Sequence, residues 1–284
     1  METITVEKDL GRAGFVWREA EGVSALACEP LERAGFSNAF STRGGGCSAF
    51  PENSLNLAGF SDDAAENIRE NRRRFLAAVG GADLWTLAAC WQVHGADVRA
   101  VGSAEDARSR EESEQVRCDA LVTQARGVLV GVKTADCVPV LLGDARTGAC
   151  AAVHAGWRGT LARMVARTLG RMEEEYGTRA GDVLAAVGPA ALGCCYEVGP
   201  EVVEAFEAEF EGAAEWFAPT REGRALADLH RANRAQLEAA GVAPARIHSA
   251  PLCTICRPDL FFSYRRDRPV YGRTGRLMSV VGRR

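Results

Sequence analysis

The chain has 284 residues, 47% of them hydrophobic and 25% charged, with 34 Lys and Arg set against 38 Asp and Glu for a net charge of −4. That length can bury a sizeable core, as one large domain or two small ones. The near balance of charge argues against nucleic-acid binding, and no apolar run approaches the roughly 20 residues that span a bilayer.

The first residues, METITVEKDLGRAGFVW, contain no apolar run of the secretory type, so a cytoplasmic protein is expected. Ten cysteines are too sparse for a disulfide scaffold and read as buried small hydrophobes, metal ligands or nucleophiles.

In chain order, residues 37–42 predict a strand. Residues 63–79 predict a helix opened by an Asp63/Glu66 capping box and closed by Gly80 and Gly81. An apolar strand follows at 87–94 and continues to 101. The polar stretch 103–115 reads as a surface excursion. Strands are predicted at 120–123, 127–142 and 149–154, then a helix at 160–176 ending at Gly177. A strand at 183–188 precedes helices at 200–210, with Pro200 in the first turn, and at 226–240. Strands at 247–251, 261–264 and 277–281 complete the chain. The mixture, without strict alternation, predicts an α+β fold of mixed β-sheets flanked by helices, in a single layered domain over residues 1–284. No Gly-rich dinucleotide fingerprint or P-loop is present.

The chemistry concentrates in three segments. His94 lies in CWQVHGAD, Cys137 in TADC and His154 in AVHAGWRG, each at a strand end or irregularity beside small residues. Two imidazoles and a thiolate form a borderline-soft set that suits Zn²⁺, with Cu²⁺ as the alternative. Three protein ligands leave a position open, as catalytic sites do. The spacings match no short metal motif, so residue types alone leave a structural role open for each.

WQVHG, TADCVPVLL and VHAGWRGT, in that order, resemble the signature segments of the YfiH/laccase-domain family. STRGGGCS with NSLNLA, ENRRRF, VGPAALGCCYEVG, CTICRPDLFFSYRRD and TGRLMSV resemble its other blocks, so the likeness runs from about residue 36 to 281. The resemblance implies a zinc held by His94, Cys137 and His154, which are then also the catalytic residues. It implies phosphorolysis of adenosine, inosine and methylthioadenosine to free base and ribose 1-phosphate, with adenosine deamination. It also carries reports of copper-dependent phenol oxidation and a peptidoglycan-editing role, and a fold resembling the cytotoxic-necrotizing-factor cysteine hydrolases. Cys47, where the family commonly has an aliphatic residue, and Ala190, where Cys or Ser is frequent, depart from the pattern without touching the three ligands.

On this reading the partners are a purine nucleoside and phosphate, with no nucleic acid or membrane, and the protein is a monomer by default. Deamination would use a metal-activated water at purine C6. Phosphorolysis needs an anion site, for which Arg158 with the helix start after His154, and Arg43 in STRGGG, are candidates. Asn56 is a candidate for ribose or base, and Trp91 and Trp157 for stacking on a purine. Asp136 is expected to support Cys137 rather than bind metal, and Ser263, Arg265 and Arg266 to approach the pocket. Cys194, Cys195, Cys253 and Cys256 read as buried thiols rather than a structural zinc site, since a vicinal pair is poor ligand geometry. His230 and His248 read as structural. A phenol-oxidising multicopper cluster needs more histidines than four. A metal-free Cys137/His154 hydrolase and a zinc-stabilised binding module are the remaining alternatives.

Overall fold

The structure is a computed structural model that describes residues 8–60, 62–113, 116–221 and 223–284, with the backbone only at 109–113. Two six-stranded sheets form its centre. The first contains β1 (Phe15–Ala20), β2 (Val23–Cys28), β3 (Ser37–Ser41), β5 (Thr86–Ala88), β8 (Val128–Thr134) and β16 (Leu277–Arg283), in the order β1-β2-β3-β16-β8-β5. The second contains β6 (Val98–Val101), β7 (Ala120–Thr123), β9 (Val138–Asp144), β10 (Cys150–Ala155), β11 (Val183–Val187) and β15 (Ile247–Ser249), in the order β15-β11-β9-β10-β7-β6. Most neighbours are antiparallel, but β5–β8, β6–β7 and β11–β15 run parallel. β4 (Gly44–Ser48) is a separate short strand. A small third sheet joins β12 (Glu197–Val198), β13 (Phe217–Pro219) and β14 (Ala225–Ala227).

Alternation along each strand places the layers. Val128, Val130 and Val132 of β8 share a core with Leu121, Leu141, Ala152 and Ala186 of the second sheet, so the two sheets pack face to face. Leu129 points the other way, into a core with Phe75, Leu76 and Val79 around the helix Ala65–Ala78. Val122, Val140, Leu142 and Val153 of the second sheet face Met164, Val165, Leu169 and Met172 of the helix Met164–Tyr176 and Leu237 of the helix Leu229–Ala239. The order is therefore helix, sheet, sheet, helices. Strands covered on both faces read as near-continuous apolar runs. The expected α+β class of mixed sheets and helices holds.

Several boundaries differ from the sequence expectations. Residues 127–142 are two strands in two sheets, because the chain leaves β8 at Thr134, turns through Asp136 at φ 85°, and enters β9 at Val138. Residues 87–101 divide in the same way between β5 and β6. The helix predicted at 160–176 is a short helix, Trp157–Leu161, followed by Met164–Tyr176, with Arg163 between them in the left-handed region at φ 59°. Asp63 does not cap its helix. The N-cap is Ala64, whose own N–H donates to the Asp63 carboxylate at 2.7 Å. The stretch 103–115 contains the helix Ala104–Ser113, and its last two residues lie outside the described ones. Residues 261–264 are not a strand: Phe261 and Phe262 are buried, and Ser263 caps the helix Tyr264–Tyr271.

Candidate metal centre and active site

The antiparallel hairpin of β9 and β10 brings two of the three residues together. Its register pairs Pro139 with His154 and Val138 with Ala155, which sets Cys137, just before β9, beside the end of β10. A Cβ on Gly156 would lie 2.9 Å from the Cys137 sulfur and 3.3 Å from His94 Cδ2, so only glycine leaves room there.

His94 arrives on the loop between β5 and β6, held by a residue the sequence reading passed over. Asp119 is fully buried immediately before β7. Its Oδ1 accepts from His94 N at 2.9 Å, and its Oδ2 from Gly95 N at 2.7 Å and Val93 N at 3.3 Å. These bonds hold His94 in the left-handed region at φ 57°, a conformation uncommon outside glycine. The same Oδ1 bonds His154 Nδ1 at 2.8 Å, and the His154 backbone N–H donates to the Asp119 carbonyl. Asp119 thus orients both histidines. Gln92 fixes the other side of the loop: its Nε2 donates to the Lys133 carbonyl at 2.6 Å and its Oε1 accepts from Lys133 N at 2.7 Å. In the sequence, Asp119 looks like an ordinary polar residue at a strand entry, and only the β7–β10 register reveals it.

The donor atoms of His94, Cys137 and His154 all lie within 4.8 Å of one another. His94 Nε2 is 3.8 Å from Cys137 Sγ, and the two imidazole rings meet edge to face with centroids 4.8 Å apart. Tetrahedral zinc with bonds of about 2.3 Å to sulfur and 2.05 Å to nitrogen separates such donors by about 3.6 Å, so this set can hold an ion with little movement. With Nδ1 of His154 engaged by Asp119, its Nε2 is the nitrogen left for a ligand bond, and a carboxylate behind a ligand histidine is the usual support. His94 is exposed, Cys137 half-buried and His154 buried, so the cluster opens on the His94 side.

The three groups also polarise one another. Burial pushes the Cys137 thiol up, but the neighbouring His154 and His94 imidazoles override it and bring the thiol down to about 6. Burial pulls His154 down, but the Cys137 thiolate and the Asp119 carboxylate raise it to about 9. The pair therefore favours thiolate and imidazolium in the absence of an ion.

Asp136 supports Cys137, as expected, although by a tight turn rather than an extended strand. Its carboxylate accepts from Thr254 Oγ1 at 2.7 Å, Ser263 Oγ at 3.0 Å and the Arg265 amide at 2.7 Å. Its carbonyl accepts from Ala191 N. Tyr196 lies in the fields of Cys137, Arg265, Asp136 and Arg158, and burial pushes its hydroxyl up to about 12. Arg158 is exposed and stacks over Trp157 at 4.2 Å, and Arg265 lies over the Tyr196 ring at 5.1 Å. The helix after His154 has only five residues, so the anion cradle expected at its start reduces to the Arg158 side chain itself.

Other candidates are engaged elsewhere. Arg43 donates to the Pro258 carbonyl at 2.9 Å and sits over Phe262. Asn56 is buried and accepts from Ala58 N and Arg276 N. Arg266 straps the carbonyls of Thr254, Ile255 and Phe261. Trp91 and Val93 are exposed on the His94 loop, whereas Trp157 packs against the core. His230 is buried and bonds the Gly188 carbonyl at 2.7 Å, in keeping with the structural role expected of it. Of the four remaining candidate thiols, expected to be buried, Cys253 is buried and Cys195 half-buried, but Cys194 and Cys256 are exposed, and all four sulfurs lie within 4.8 Å of one another.

A layered mixed-sheet fold carries, at one sheet end, a His-Cys-His cluster of the kind that can hold a metal ion. Residues 37–284 match the family described as multi-copper polyphenol oxidoreductase laccase, and the chain belongs to that family. It is 42% identical over 261 residues to a purine nucleoside phosphorylase of Deinococcus radiodurans, covering 89% of this chain and 92% of that one. It is 39% identical over 223 residues to the adenosine deaminase RL5 of an unknown prokaryotic organism, covering 78% and 84%. The crystal structure of YlmD from Geobacillus stearothermophilus superposes with a TM-score of 0.85 at 34% identity, covering 95% of this chain and 99% of that one.

Proposed function

We propose that this chain is a zinc-dependent purine nucleoside phosphorylase that also deaminates adenosine, acting as one catalytic domain at the His94, Cys137 and His154 centre. The observation that carries the reading is the convergence of those three donors on one point, with Asp119 behind both histidines. Adenosine, inosine and methylthioadenosine are the proposed substrates, and the names of relatives covering most of the chain support that class.

His94, Cys137 and His154 would hold the zinc, which when bound supplies Lewis-acid activation at the open position. Asp119 keeps the His154 ring in one orientation through Nδ1, at 2.8 Å. Arg158, over the Trp157 ring, and Arg265, over the Tyr196 ring, would offer positive charge to phosphate as the ribosyl group passes from the purine nitrogen to a phosphate oxygen. The exposed Trp91 offers an aromatic face near His94 for a purine. Only two of the four histidines lie at the centre, too few for a multicopper cluster. Ten free cysteines suit a reducing, cytoplasmic setting.

A second reading rests on the low thiol pKa: Cys137, His154 and Asp119 have the order of a nucleophile, its base and an orienting carboxylate, as in a cysteine hydrolase. Chromatography of adenosine, inosine and methylthioadenosine incubated with zinc-loaded protein, with and without phosphate, separates the two. Free base formed only with phosphate, and lost in Cys137→Ala, supports phosphorolysis. Inosine formed from adenosine without phosphate supports deamination. No turnover by folded, zinc-loaded protein sinks the nucleoside reading.

A further inference from the structure

The parallel strands β11 and β15 end side by side, and each runs into a tight turn that carries two cysteines. From β11 the chain reaches Cys194 and Cys195, in a turn closed by Cys195 N and Tyr196 N donating to the Leu192 carbonyl. From β15 it reaches Cys253 and Cys256, in a turn closed by Arg257 N donating to the Cys253 carbonyl. The turns are tied together by a bridge between Ala190 and Cys253, with Thr254 N donating to the Ala190 carbonyl at 2.9 Å. Arg266 braces the second turn through the carbonyls of Thr254 and Ile255.

The result is four sulfurs in one place. Cys195 Sγ is 2.9 Å and Cys194 Sγ 3.6 Å from Cys256 Sγ, and all four lie within 4.8 Å of one another without any disulfide. A tetrahedral zinc with four bonds of about 2.3 Å places its sulfurs about 3.8 Å apart, in the middle of this range. Cysteine ordinarily avoids the surface, yet Cys194 and Cys256 are exposed here, converging on their partners rather than packing into the core.

We propose that Cys194, Cys195, Cys253 and Cys256 form a second, structural metal site that takes Zn²⁺ or a similar thiophilic divalent ion. The ion replaces the thiol protons as the four ligands close on it, and it locks the two turns together. Those turns carry Ala191 N and Thr254 Oγ1, two of the donors that hold Asp136 beside Cys137. The second site therefore stiffens the support of the catalytic cysteine without touching substrate. The proposal goes beyond the reading of the His94 centre and stands or falls separately from it.

Metal content decides it. Protein prepared under thiol reductant, loaded with Zn²⁺ and desalted should carry two equivalents per chain. Cys137→Ala should keep one, and Cys253→Ser/Cys256→Ser should keep the other. With Co²⁺ in place of Zn²⁺, the Cys137→Ala protein should show thiolate charge-transfer absorption several-fold stronger than the double variant, which retains only one thiolate ligand. If the double variant does not fold, alkylation of the wild-type protein gives the answer: mass spectrometry should find all four thiols protected with Zn²⁺ and modified after chelation. A single equivalent that disappears entirely in Cys137→Ala would overturn the site. So would four freely alkylated thiols in the zinc-loaded protein, or a Cys195–Cys256 disulfide as the resting form.

Discussion

Asp119 concentrates more of the site's geometry than either of the two histidines it holds. One buried carboxylate accepts four hydrogen bonds, from the amides of Val93, His94 and Gly95 and from His154 Nδ1. Asp119→Asn keeps the shape but turns an amide NH₂ toward groups that themselves donate. Loss of a carboxylate behind a ligand histidine lowers metal affinity or activity by roughly 10- to 100-fold, and an unsatisfied buried donor costs about 1–3 kcal/mol of stability. Competition with a zinc chelator and thermal melting of the variant measure both, and wild-type values in each would remove Asp119 from the account. His230 makes a residue-scale prediction about pH. Burial lowers its pKa below the ordinary 6.5, so the unfolded chain takes up a proton there before the folded one. The stability it contributes is complete above the unfolded value and is lost as pH falls through the folded one. Melting temperature should therefore drop between about pH 7.5 and 5.5, with a shallower drop in His230→Asn, measured by calorimetry. Equal slopes would show that His230 does not carry that dependence.

Among the elements, β9, β10 and β11 do most to place the centre. Gly188 follows β11 directly and lies against Phe40 of β3, and a Cβ there would come within 2.2 Å of the Phe40 ring. Ring and backbone are both buried, so Gly188→Ala should cost about 1–3 kcal/mol, read as a lower melting temperature. Trimming the ring in Gly188→Ala/Phe40→Leu should recover part of the loss. A Gly188→Ala protein as stable as wild type would contradict that packing. The strand interiors were legible in sequence: 120–123 matches its strand end for end, and 183–188 and 149–154 shift by a residue. The splitting of 127–142 was not, because apolar alternation marks burial without marking which sheet a strand joins. Asp136 and Cys137, which look like flaws in a core strand, are the crossing between two sheets.

At the scale of the whole molecule, two sheets buried on both faces make a rigid block, and one end of it carries His154 on β10 with His94 and Cys137 on the adjoining loops. The three were legible because family motifs surround them. Asp119, Gln92 and the four-thiol cluster were not, because each depends on segments brought together by strand register, which spacing along the chain does not encode. Arg43 and Asn56, plausible by residue type, make internal hydrogen bonds, Arg43 to the Pro258 carbonyl and Asn56 Oδ1 with the amides of Ala58 and Arg276. The chemistry proposed for this centre is transfer of ribose from a purine to phosphate. Hypoxanthine release from inosine should be followed against phosphate concentration for wild-type and His94→Ala protein, both confirmed folded by melting. Release should saturate with phosphate in the wild type and be lost in His94→Ala. Release that ignores phosphate, or survives unchanged without His94, would contradict it.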